Sequence, residues 1–224
     1  MGSLITSIVS LLISFPIALA IALMIISKKS RMGSLLDWVI KIAASIPSVV
    51  YGFWGLLVLV PLIRKVQLHF EWLPYGVGLL SAIIILTIMI IPFSVLLFKQ
   101  ILERLPKELE EASLSLGATY REMMVSVIYP YCKSSLNAAI ILSFGRAVSE
   151  TMAVTMVIGN VNKLPQSLIS PTNSLASVLV NEFSEASQAL HISSLYYLTL
   201  ILFLITVVSV VLSRFITKKI RVLR

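Results

Sequence analysis

Arg146 and Glu150 lie four residues apart inside an apolar block that runs from about Leu136 to Ile158. A charge in such a setting is costly, about 2.5–3.5 kcal/mol for a guanidinium at the centre of a bilayer on insertion scales. On a continuous helix the two side chains fall about 40° apart on the wheel, with Ser143 on the same side and Thr151 and Thr155 well away. Two readings follow. In one, the stripe lines an anion path: a guanidinium binds oxyanion oxygens bidentately, and Glu150 orients it or competes with the anion, which keeps binding weak enough to release. In the other, the two form an ion pair that holds this block against a neighbour. Ionisable residues inside a membrane are functional by default, which favours the first.

A second cluster is the most charged part of the chain, 99–133. Pro106 suits a helix start, Glu108, Glu110 and Glu111 favour the first turn, and Gly117 breaks the helix. The order is Glu111-Ala112-Ser113-Leu114-Ser115-Leu116-Gly117 and, nine residues later, Val127-Ile128-Tyr129-Pro130. Small residues on one side of a short helix let it seat closely against a partner, and the glycine lets the chain turn.

No phosphate-cradling loop, dinucleotide fingerprint or metal-ligand pair occurs. Two histidines, His69 and His191, do not assemble a nucleophile, base and orienting acid, so no catalytic residue and no metal site is expected. Any nucleotide that drives the chain binds elsewhere. The single cysteine, Cys132, makes no intrachain disulfide and is read as packing.

The elements that must position these residues follow from hydropathy. The 224 residues are 58% hydrophobic and 12% charged, about half the charge of a soluble domain, and the apolar residues come in long blocks. Five blocks can cross about 30 Å of hydrocarbon: 4–26, 39–63, 76–98, 136–158 and 195–216. They form one all-α polytopic domain, 1–224, with the 99–133 loop on one side and a 159–194 loop on the other, where Ser174 to Ala189 has helical periodicity. Pro47 and Gly52 interrupt the second block, as a broken helix facing a cavity or as a plain kink. Lys41 snorkels to headgroups, and Tyr51, Trp54 and Trp72 read as interfacial anchors.

Net charge is +8. The basic residues explain it without nucleic acid. Placing the segment after the first block in the cytoplasm gives an inner set of Lys28, Lys29, Arg31, Lys99, Arg104, Lys107, Arg121, Lys133, Arg214, Lys218, Lys219, Arg221 and Arg224. The outer set is Arg64, Lys65 and Lys163. That bias predicts the amino terminus outside and the carboxy terminus inside, in a multi-pass protein of the cytoplasmic membrane. The first block has no positive n-region and no cleavage site, so it reads as an anchor and not a signal peptide. An odd number of spans starting outside leads to the expectation of a longer parent protein with a further amino-terminal helix.

The loop from Glu111 to Pro130 resembles the Glu-Ala-Ala…Gly…Ile-x-Leu-Pro loop of binding-protein-dependent ABC importer permeases, with Ser113, Val127 and Tyr129 as mild departures. Two further runs, Ile46 to Gly55 and Arg146 to Asn160, with Asn181-Glu182-Phe183, are similar to the C-type permease subunits of phosphate-specific importers. The A-type sister would carry a proline-leucine pair after Glu-Thr, where this chain has Met152-Ala153-Val154. The resemblance covers essentially the whole chain. It implies a MetI-like type I ABC importer permease core whose coupling loop, with Glu111, Ala112, Gly117 and Pro130, docks on an ATPase. It implies four partners or partner classes: a homologous A-type permease, two copies of a cytoplasmic ATPase that binds ATP and Mg, an extracytoplasmic phosphate-binding protein, and membrane lipids. The substrate path would include Arg146, Glu150 and Ser143. A permease of the same architecture for sulfate or molybdate is the nearest alternative, and the Arg146 to Asn160 run argues against it. An ATP-independent secondary transporter or channel would not need the spaced cytoplasmic loop, and a membrane scaffold would not need a charge at the bilayer centre.

Overall fold

The computed structural model describes residues 1–27 and 31–221; of the inner basic set, Lys28, Lys29 and Arg224 lie outside them. Every regular element among the described residues is helical: α1 (Gly2–Ser27), α2 (Arg31–Ser45), α3 (Ser48–Trp54), α4 (Val60–His69), α5 (Leu79–Glu103), α6 (Lys107–Ser115), α7 (Tyr120–Glu122), α8 (Tyr129–Ser149), α9 (Met152–Val157), α10 (Leu175–Glu182) and α11 (Ala189–Arg221). Among the described residues five helical stretches are long and apolar enough to cross a membrane: Gly2–Ile26, Ser48–His69, Leu79–Glu103, Tyr120–Val148 and Ala189–Phe215.

Helix α5 is the central strut. It is apolar on all sides and its residues are mostly buried, as expected of a helix surrounded by other helices. Helix α1 lies along it through a stripe of small residues, Ser3, Ser7, Ser10, Ser14, Ala18 and Ala22, all buried. Small residues at this spacing let two backbones approach closely in lipid, and the Ser10 hydroxyl donates to the Ile83 carbonyl at 3.0 Å. The outer start of α5 has no side-chain cap. The end of α9 and the 159–194 loop supply one instead: the Gly78, Leu79 and Leu80 N–H groups donate to the carbonyls of Val157, Ser170 and Leu168. Those groups would otherwise be orphans.

The second crossing is broken. Asp37 of α2 bonds Lys99 near the inner end of α5, and Gly55 packs on Ile85 in its outer half. The chain therefore rises through α2, turns at Ile46-Pro47 and continues in α3. Pro47 has no N–H for the Ala43 carbonyl, four residues back. That carbonyl accepts instead from the Ile46 N–H at 3.3 Å and from the Tyr51 hydroxyl at 2.8 Å. Tyr51 is thus the clamp of the break, not an interfacial anchor. Tyr51→Phe should lower the stability of the solubilised complex by about 1 kcal/mol, the worth of one hydrogen bond, read as a lower thermal midpoint; an unchanged midpoint would show that the Ile46 N–H suffices. Lys41, expected to snorkel, pairs with Asp37 at 2.8 Å.

Gly52 does not break anything. It sits inside α3, where an added Cβ would lie 2.8 Å from the Ala153 Cα of α9. Gly55 is as tight, with Ile85 at 2.6 Å. Both glycines are there for close approach.

Two π turns follow one rule. Gly55–Leu59 and Met123–Ile128 each widen a crossing helix just before a proline, Pro61 and Pro130. The Val60 N–H reaches Gly55 O and the Tyr129 N–H reaches Met124 O, five residues back. The wider turn gives the ring room where an α-helical carbonyl would clash. Tyr120 to Pro130, expected in the inner loop, therefore begins the fourth crossing helix.

Candidate functional site

Helix α8 stops where the sequence pattern runs on. It ends at Ser149, and Glu150 takes an extended backbone, φ −68° and ψ 124°. Hydroxyls close the end: Ser149 donates to Gly145 O at 3.0 Å and Thr151 to Ser149 O at 3.2 Å. A new helix, α9, begins at Met152, and Gly159 and Asn160, both at positive φ, terminate it. The Asn160 amide donates to the Thr155 carbonyl at 2.9 Å.

The break undoes the expected stripe. Among the described residues Arg146 and Glu150 form no ion pair. Glu150 turns to the foot of α9, where Oε1 accepts the Ala153 N–H at 3.4 Å; a carboxylate at a helix N-terminus is favourably placed. Ser143 bonds neither of them among the described residues. It is fully buried and shares a 3.1 Å hydrogen bond with Ser94 of α5, so it ties two helices together.

Arg146 itself is exposed on this chain. Its guanidinium lies 4.6 Å from the centroid of the Phe93 ring, a cation–π contact. Phe93 is two residues past Ile91, the midpoint of α5. The arginine therefore does lie near the middle of the crossing, at the end of a helix and not halfway along one. An exposed guanidinium at that depth has to face protein or water, because facing lipid is the costly alternative.

The surroundings are built from half-helices. α3 and α9 run in parallel, Gly52 against Ala153 and Gly55 against Val157, so both begin in the same middle layer and present their N-terminal ends to it. Neither Phe93 nor the pairing of α3 with α9 was legible as part of a site; Pro47 was the one visible signal of the first break, and no proline or glycine marks the second.

Past the end of α5, α6 stands out as an elbow. Pro106 precedes it and a Schellman turn ends it, with the Gly117 N–H on Leu114 O and the Ala118 N–H on Ser113 O. Gly117 has φ +83° and nothing within 4 Å of where a Cβ would sit. Glu111 and Ala112 are exposed, and Leu116 is 89% exposed. Ser113, which stands in the place of an alanine, is buried and bonds back to Leu109 O at 2.6 Å. Thr119 and Glu122 then form a capping box that starts the next helix. Pro130, the last of the coupling residues, lies far up this helix behind the π turn and away from α6.

In the 159–194 loop Glu182 of α10 accepts from Asn162 and pairs with His191, each at 3.1 Å. The Asn162 amide and then His191 hold its carboxyl below the usual value, more than burial raises it. Because the folded value is the lower one, this clasp is in force above about pH 4.5 and is lost as pH falls through the depressed value.

Residues 14–222 match the family model described as the binding-protein-dependent transport system inner membrane component. The chain is 41% identical to the phosphate transport system permease protein PstC of Pasteurella multocida, over 98% of this chain and 73% of that protein. It is 38% identical to the protein of the same name from Haemophilus influenzae, over 98% and 74%. The backbone superposes on the permease fold of the MetNI methionine ABC transporter, inward facing, with a TM-score of 0.73 and 19% identity over 96% of this chain and 93% of that one. Five helices long enough to cross a membrane among the described residues and a match over most of the chain agree: it belongs to the family of binding-protein-dependent transport system inner membrane components.

Proposed function

We propose that this chain is the C-type permease subunit of an ATP-driven phosphate importer, and that Arg146 guides the anion across the middle of the membrane. The observation that carries the reading is an exposed guanidinium at mid-membrane depth, free of any carboxylate among the described residues, beside two half-helices that begin in the same layer. Relatives named phosphate transport permeases support the substrate. Glu150, held at α9, leaves the arginine available and keeps a negative charge nearby, which favours release over tight capture.

In this reading α6, with Glu111, Ala112 and Gly117, docks on one of two ATPase subunits, which bind ATP and Mg. A homologous A-type permease completes the path, and an extracytoplasmic phosphate-binding protein delivers the substrate. One helical rod, Tyr120 to Ser149, joins the elbow to Arg146 across about 40 Å at 1.5 Å per residue. A push at α6 is thereby delivered to the arginine, with the Met123–Ile128 π turn as the compliant point. The amino terminus lies outside and the carboxy terminus in the cytoplasm. The chain itself guides substrate and makes or breaks no covalent bond.

The test is to purify the chain with its partner permease and ATPase and to measure ATP hydrolysis as phosphate-loaded binding protein is added. Stimulation by the phosphate-loaded protein, and none by a sulfate-loaded counterpart, is the expected result. Equal stimulation by both would favour a general oxyanion permease, and hydrolysis indifferent to either would remove the importer reading.

A further inference from the structure

A cavity of about 460 Å³ opens between the inner half of α5, the first half of α8 and α11. Its lining is mainly apolar, with Leu97 and Ile101 on α5 and Ala139 and Leu142 on α8, and Ser135 and Ser213 add hydroxyls to it. Gln100 and Arg104, both exposed, line it as well. Arg104 is the first residue after α5, so it marks the level where that helix leaves the hydrocarbon on the cytoplasmic side. It is exposed and has no carboxylate partner among the described residues. The lining of α8 runs from Tyr131 to Leu142, about 17 Å at 1.5 Å per residue, and one leaflet of hydrocarbon is about 15 Å, half of the roughly 30 Å core. The upper end stops a turn short of Phe93 and Arg146.

We infer that this groove holds one acyl chain of an anionic phospholipid of the inner leaflet, with its phosphodiester on Arg104. The dimensions fit a chain of one leaflet. The chemistry fits because guanidinium binds phosphate oxygens bidentately and the apolar walls take a hydrocarbon chain. A free phosphate ion would gain nothing from Leu97, Ile101, Ala139 and Leu142, and would lose its hydration against them. The site is separate from the anion path: the lipid would brace α5 against α8 below the arginine, at the joint that transmits movement from α6.

The experiment uses the assembled importer, reconstituted in nanodiscs of phosphatidylcholine with a minor share of phosphatidylglycerol. The lipid retained after extraction into mild detergent is identified by native mass spectrometry. Wild-type complex should retain phosphatidylglycerol selectively, one per copy of this chain. Arg104→Gln, a change at an exposed position, should cut that retention about tenfold, the loss of a charge-assisted hydrogen bond. Ala139→Phe should abolish it by filling the groove, with size-exclusion chromatography confirming that the complex stays assembled. Retention of both lipids in proportion to their supply, retention unaffected by Arg104→Gln, displacement of the lipid by millimolar inorganic phosphate, or crosslinks placing a partner permease helix in the groove would each overturn the assignment.

Discussion

Arg146→Gln should abolish most phosphate uptake, by about ten- to hundredfold for the loss of charge-assisted hydrogen bonds to an anion, while the complex accumulates normally. The geometry makes this a clean test. Removing one partner of a buried ion pair usually strands the other, at about 3–5 kcal/mol, and an assembly defect would then mask the transport defect. Here Glu150 bonds the Ala153 N–H at α9 and makes no pair with Arg146, so nothing is stranded. Losing a guanidinium near mid-membrane should if anything ease insertion. The folded chain loses only a stacking contact on Phe93, worth about 0.5–1 kcal/mol at an exposed site. Arg146→Lys keeps the charge but offers a point in place of a planar fork, and should recover a minor part of the activity. The double variant Arg146→Gln with Glu150→Gln should behave like the arginine change alone. Uptake of labelled phosphate into proteoliposomes, beside quantified pull-down of the ATPase, separates the outcomes. Wild-type uptake by Arg146→Gln, or recovery of transport in the double variant, would remove the arginine from the path.

What the sequence could carry and what it could not divides along one line. Features set by local chemistry were legible: Pro106 before α6, Gly117 after it, Pro47 at the break of the second crossing. Features set by where a helix stops against its neighbours were not. The wheel argument for Arg146, Glu150 and Ser143 assumes a continuous helix, and neither glycine nor proline sits between Ser149 and Met152 to warn otherwise. The break is imposed by packing, since α9 must lie beside α3, with Gly52 and Gly55 letting the backbones meet. Gly52 was read as a breaker because a glycine signals both turns and close approach, and only the neighbour tells them apart. The prolines hide a similar ambiguity: Pro61 and Pro130 do not end their helices, because a π turn before each gives the ring space. The helix expected from Ser174 to Ala189 ends earlier, at Glu182, and its start is closed by a reciprocal Ser174–Ser177 box. The serines of α1 read as ordinary members of an apolar block, and only the burial of Ser3, Ser7, Ser10 and Ser14 shows them to be the face that meets α5.

Gly117→Val should leave the chain inserted and assembled with its partner permease, but largely uncouple ATP hydrolysis from transport. Gly117 stands at φ +83°, and no atom lies within 4 Å of the place a Cβ would take. Crowding therefore has no part in the effect. The left-handed backbone alone opposes a side chain, by about 1–2 kcal/mol for an ordinary residue, and a β-branched one fits that region worst. The Schellman turn supplies the bonds from Gly117 and Ala118 back to Leu114 and Ser113. Relaxing the strain means giving these up, which would swing Leu116 and the exposed end of α6 away from their present direction. The hydrophobic core takes up again past the turn at Met123 and Ile128 and does not include the turn itself, so global stability should change little. Gly117→Asn is the internal control, because asparagine tolerates the left-handed region far better than valine. It should retain most coupling. The measurement is the ratio of phosphate transported to ATP hydrolysed in proteoliposomes, with ATPase binding followed in parallel. A valine variant with a normal ratio and normal ATPase binding would show that the elbow is not the docking element; an asparagine variant as defective as the valine one would show that something other than backbone conformation matters at this position.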